Sequence, residues 1–186
     1  MEYTISVQPT PNPNALKFVL NVPAKSRDSA VFKLSGPDAS SVPLAAALLK
    51  LPSVTEVYFN GYFITVTQSG GADWDVLESE IQKVILANVE RHDADFEIRI
   101  PSTSAAPAPK ATGEMTKIED ILDRTIRPAL QRDGGDLQVL GLDGKVLTIN
   151  YEGACGCCPH ATMGTLYAIQ NILRDQYDPE LVVEMA

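Results

Sequence analysis

Apolar and polar positions alternate at Tyr3-Thr4-Ile5-Ser6-Val7 and again at Leu16-Lys17-Phe18-Val19-Leu20, which predicts two strands flanking the turn-rich stretch Pro9 to Asn14. A short helix is expected from near Ser41 to Lys50, with Pro43 in its first turn, where a missing N–H removes no helical bond. Val54 to Phe59 and Tyr62 to Thr67 read as a hairpin over Asn60-Gly61, a pair that tolerates the positive φ angles of a type I′ turn. Asp73 is placed to cap a helix on which Val76, Leu77, Ile81, Val84, Ile85 and Val89 recur at helical spacing. Phe96, Ile98 and Ile100 then alternate as a closing strand. The pattern predicts a small α/β sandwich with no evident catalytic group.

Large apolar residues vanish over 101–113, where Ser, Ala and three prolines predominate. Such a segment forms no regular ladder and reads as a flexible linker with a reach of up to roughly 40 Å when extended. Beyond it the patterning resumes. Thr116-Lys-Ile-Glu119 has the form of a capping box, and Ile118, Ile121, Leu122, Ile126 and Leu130 make one apolar stripe that Pro128 should segment. Asp133-Gly-Gly-Asp136 should end the helix, with two strands after it, Leu137 to Leu142 and Val146 to Tyr151, turning at Asp143-Gly144. Met163, Leu166, Ile169, Ile172 and Leu173 mark a last helix, and Leu181 to Met185 a last strand. The fold class is therefore α+β, with domains at 1–100 and 114–186 joined by the linker 101–113.

Composition narrows the partners. The 186 residues carry 45% hydrophobic and 21% charged positions, the balance of a folded soluble chain, and no apolar run reaches the ~20 residues of a membrane helix. A net charge of -9, with both halves acidic, argues against nucleic acid. Met1-Glu-Tyr-Thr4 resembles neither a secretory signal nor an Arg-rich transit peptide, which places the chain in the cytosol, a mature organellar form being equally compatible.

The chemistry is concentrated in Gly153-Ala-Cys155-Gly-Cys157-Cys158-Pro159, which holds all three cysteines. Cys155 and Cys158 have Cys-x-x-Cys spacing on a strand-to-helix connection, where amide N–H groups and the helix dipole favour thiolate, the form that binds metal or attacks a disulfide. A structural zinc or a cubane iron-sulfur cluster takes four ligands, and one such pair supplies two. Either two chains contribute a pair each, a homodimer being the economical answer, or Cys157 and His160 complete the set locally. His92 lies in a charged stretch without metal-ligand context.

Several motifs in order carry a resemblance. Ile126-Arg-Pro-Ala-Leu130, Asp133-Gly-Gly-Asp136, Gly153-Ala-Cys155-Gly-Cys-Cys158-Pro159 and Thr165-Leu166 resemble the NifU-like domain of iron-sulfur cluster scaffold proteins. Thr10-Pro-Asn-Pro-Asn-Ala-Leu-Lys-Phe18, Pro43-Leu-Ala45, Phe63-Ile-Thr-Val-Thr67 and Trp74 resemble the Nfu N-terminal domain. The resemblance implies a non-enzymatic carrier of a 4Fe-4S cluster. Cys155 and Cys158 of two subunits would hold the cluster, a homodimer would form on binding, and the recipients would be apo iron-sulfur proteins, with an upstream scaffold as a further partner. Members of that family commonly have a small non-cysteine residue where Cys157 stands and serine where His160 stands.

Two other classes compete. A thiol-disulfide oxidoreductase would use the same pair, but thioredoxin-like folds continue with further strands, whereas here one helix and one strand remain. A zinc-stabilised adaptor would carry colourless metal. The two-domain expectation has a direct test. Cleavage within 101–113 should leave two folded fragments, with fluorescence of Trp74, the sole tryptophan, reporting on the first alone. An unfolded fragment from Lys110 to Ala186, seen by circular dichroism, would place the boundary elsewhere.

Overall fold

Alternating β-branched and aromatic residues build an antiparallel sheet in the first part of the chain: β1 (Ile5–Pro9), β2 (Ala15–Leu20), β3 (Lys25–Lys33), β4 (Val54–Gly61) and β5 (Phe63–Gln68), in the order β1-β2-β5-β4-β3. The computed structural model describes residues 2–33, 39–97, 113–155 and 159–186, with the side chains at 27, 28 and 159–163 outside that description. Two units separate, Met1–Pro101 and Ser102–Ala186. The expected linker lies outside the described residues up to 112, and Gly113 already begins a helix.

In the first unit, α1 (Pro43–Leu49) and α2 (Trp74–Val89) cover one face of the sheet. Leu44 and Leu48 from α1 and Leu77, Ile81 and Ile85 from α2 share one core with Phe18, Phe32, Val57, Phe59, Ile64 and Val66. The Asp73 carboxylate accepts from the Asp75 N–H at 3.0 Å, as its N-cap position predicts. Val76, assigned by spacing to the apolar stripe, faces solvent at 60% exposure, because the buried stripe keeps to Leu77, Ile81, Ile85 and Val89.

The Pro-Asn loop before β2 is held internally: Asn14 N–H donates to Asn12 Oδ1 at 3.0 Å, and Trp74 Nε1–H donates to the Pro13 carbonyl at 2.9 Å. β3 has no forerunner in the periodicity. Its start mixes Lys25, Arg27 and Asp28, and it becomes a strand by pairing Ser29 through Lys33 with Asn60 back to Glu56, which buries Ala30 and Phe32.

The hairpin differs from expectation by one residue. Asn60 pairs with Phe63, so the loop is Gly61-Tyr62 and Gly61 takes the positive φ of +48°. Glycine first in a two-residue loop is the requirement of a type II′ turn, not I′. The same step recurs at the second hairpin, where Asp143 pairs with Val146 and Gly144 has φ +59°. Phe96 is irregular rather than strand and packs its ring 5.7 Å from that of Phe59, while Ile98 and Ile100 lie outside the described residues. His92 is taken up structurally, with Nε2 2.6 Å from the Ala24 carbonyl and its ring stacked on Phe59.

The second unit holds α3 (Gly113–Thr125), α4 (Arg127–Arg132), β6 (Gly135–Asp143), β7 (Val146–Gly153), α5 (Pro159–Gln176) and β8 (Val182–Met185). β6 and β7 are antiparallel, and β8 joins β7 in parallel, with α5 as the crossover. Thr116 does not cap α3. The helix begins three residues earlier because Met115 extends the buried stripe of Ile118 and Leu122. Pro128 segments the helix as expected: α3 ends at Thr125, and α4 restarts with the proline in its first turn. Both segments still bury Ile126 and Leu130 against Leu137, Val139, Leu147, Ile149, Ile169 and Leu173.

Ile81→Ala should cost about 3 kcal/mol, since the side chain is fully enclosed, and Val76→Ala on the same helix should stay within about 0.5 kcal/mol. Urea unfolding followed by Trp74 fluorescence reads both; equal midpoints would show that this helix does not bury the face described.

Candidate functional site

Cys155 sits on the turn that leaves β7, half-buried against the core of the second unit. Residues 156–158 lie outside the described residues, so Cys157 and Cys158 are placed only by chain order, between Cys155 and Pro159, the first residue of α5. His160 falls in the first turn of that helix. Among the described residues no three His, Cys, Asp or Glu side chains gather as a metal-holding set. One described thiol and a second three positions on fit a soft metal or a metal-sulfur group, provided that further ligands come from outside this arrangement.

The Cys155 turn is supported from the Asp133-Gly-Gly-Asp136 segment. Ala154 N–H donates to the Gly134 carbonyl at 3.2 Å, and Gly135 pairs with Gly153 across the ladder. Gly134 supplies the left-handed backbone that turns α4 into β6, with φ +83°. The role expected for this segment, a helix stop and turn, is thus only half of what it does. That it lies under the cysteine turn could not be read from the sequence, because twenty residues separate Gly135 from Cys155 and only the β6–β7 ladder joins them.

A charge cluster anchors the same segment. Asp136 is 5% exposed and receives hydrogen bonds from the Leu137 N–H and from Gln131 Nε2, both at 2.8 Å. Arg127 stands 3.8 Å from Asp136, 3.3 Å from Asp123 and 2.5 Å from Glu119. Burial pushes the Glu119 carboxyl above its ordinary value, with Arg127 pulling it back. Tyr151 lies in the core below the turn, and its hydroxyl has no partner among the described residues. Burial first, and the negative charge of Cys155 second, push the phenol well above its ordinary value, so it stays protonated.

Residues 5–92 match the family described as scaffold protein Nfu/NifU N terminal, and residues 118–184 match the NifU-like domain. The chain is 30% identical over 182 residues to the NFU1 iron-sulfur cluster scaffold homolog, mitochondrial, of Drosophila erecta, covering 95% of this chain and 62% of that protein. It is 31% identical over 176 residues to NifU-like protein 4, mitochondrial, of Arabidopsis thaliana, covering 91% of this chain and 61% of that one. A solved NifU-like protein from Saccharomyces cerevisiae is 22% identical, covers 52% of this chain and 86% of its own, and superposes with a TM-score of 0.43. The chain thus spans about three-fifths of the length of these curated relatives.

Arg127→Ala should destabilise the second unit by about 3 kcal/mol, because it leaves the Asp136 carboxylate buried without its cation. Adding Asp136→Asn should return part of the loss. Urea titration monitored by circular dichroism measures both, and a single variant as stable as the parent would remove the cluster as an anchor.

Proposed function

The chain belongs to the Nfu/NifU scaffold family, and on that premise we propose that it carries a 4Fe-4S cluster between two copies and passes it to apo-proteins. One observation carries the reading: the Cys155 thiol is fixed half-buried on the connection from β7 to α5, with Cys158 three residues on. Cys155 and Cys158 of each chain make the four thiolates that a cubane takes. Cys157, between them, acts as a spare thiol in this scheme.

The cluster is cargo, and the chain's own residues govern how it is held and released. Cys155 is only half-buried on this turn, which supports attack by an incoming thiolate from a recipient. Separation of the two copies withdraws half the ligands in one event. The deprotonated thiols left behind are stabilised by the amide groups that open α5. In this scheme no bond in an organic substrate is made or broken, so the chain acts as a carrier and not as an enzyme, a reading that the scaffold description of its family supports. Its recipients are apo iron-sulfur proteins, and an upstream scaffold is the natural donor. The mitochondrial names of the relatives support an organellar setting beside a cytosolic one.

Anaerobic loading with iron and sulfide should give about four irons per two chains and convert monomer to dimer in sedimentation. Cys155→Ala or Cys158→Ala should abolish loading, while Cys157→Ser keeps most of it. Loaded protein should activate an apo 4Fe-4S recipient in the presence of a chelator faster than free iron and sulfide do. Stoichiometric colourless zinc in place of iron would select the adaptor. Disulfide reduction without cluster uptake would select the oxidoreductase.

A further inference from the structure

The first residue of β6, Gly135, faces the cysteine turn at a distance that admits no side chain. A Cβ at this position would lie 2.6 Å from Cys155 Sγ, 2.7 Å from the Glu152 carbonyl oxygen and 3.0 Å from the Cys155 nitrogen. All three are well inside van der Waals contact, and two are backbone, so no side-chain rotation relieves the overlap. The segment cannot simply lift away either, because Ala154 N–H is bonded to the Gly134 carbonyl and Gly153 stands directly opposite Gly135 in the β6–β7 ladder. Backbone conformation does not explain the residue: the positive φ of this turn belongs to Gly134, and none is found at Gly135. Gly141, on the same strand, has nothing within 4 Å of the corresponding position.

We propose that Gly135 is a positioning residue for Cys155: its bare Cα forms the floor on which the sulfur rests, and any side chain there drives the sulfur outward and tilts the turn that carries it. The functional weight of this inference rests on Cys155 being a cluster ligand, but its geometry does not.

The test uses full-length apo-protein in which Cys157→Ser and Cys158→Ser leave Cys155 as the sole thiol. The rate of Cys155 modification by a small aromatic disulfide, followed across pH, should rise about fivefold on Gly135→Ala as the sulfur loses its shelter. Gly141→Ala should leave the rate unchanged. In the three-cysteine protein, Gly135→Ala should lower bound iron by more than half. A folded Gly135→Ala protein with unaltered thiol kinetics overturns the proposal, whatever its iron content. Should Gly135→Ala leave the unit without a melting transition, Gly135→Ala/Cys155→Ala decides: a restored transition identifies the sulfur as what the methyl strikes, and no restoration overturns the proposal. Failure of the parent protein to take up iron, with the thiol result intact, would refute the carrier reading and leave the positioning role standing.

Discussion

The close approach of β6 to the Cys155 turn is the constraint on which the second unit depends. A thiol that is to be offered to solvent cannot be held by burying its own loop, and this loop is rich in glycine, with little side chain to bury. It is held instead from beneath, by a backbone bond from Ala154 to Gly134 and by the bare face of Gly135. The sheet and the backbone beneath the turn thus meet at one half-buried sulfur.

That arrangement sets the charges around it. Bringing the Asp133–Asp136 segment under the turn takes the Asp136 carboxylate out of water, which is costly unless its oxygens are matched. The Leu137 N–H, Gln131 and Arg127 match them. Arg127 can do so because the chain breaks at Pro128, so that α4 restarts with the guanidinium in reach of α3 and β6 together. Helix break, ion cluster and thiol site form one mechanical chain. A cluster held as proposed asks for such stiffness, since in that scheme each copy supplies two of four thiolates and the two pairs must meet in register.

The first unit gathers no comparable chemistry among its described residues. Its core is the helix-covered face of the sheet, and the opposite face carries polar residues matched in place, Lys17 over the Phe63 ring and Lys33 against Glu56. His92 is absorbed into the aromatic cluster of Phe59 and Phe96. Its Pro-Asn loop is a shaped structure held by its own Asn12 side chain and tied to Trp74.

The sequence by itself determined the elements whose signal is local. Periodicity defined β2, α2, the stripe of α3 and α4 and the strand β8, and proline marked both the start of α1 and the break before α4. The spacing of Cys155 and Cys158 pointed to metal or redox chemistry before any fold was known, because the kind of donor atom follows from residue identity, whereas where further ligands come from does not. Tertiary structure decided what depends on partners distant in sequence. β3 is a strand only because β4 offers it a ladder, and both hairpins turn one residue later than their dipeptides suggest because cross-strand pairing sets the register. Gly135 became a floor for the same reason: a contact across twenty residues leaves no trace in local pattern, since what matters is the space a side chain would have filled. Asp136 became an anchor only once the helix break brought Arg127 and Gln131, nine and five positions back, onto its carboxylate.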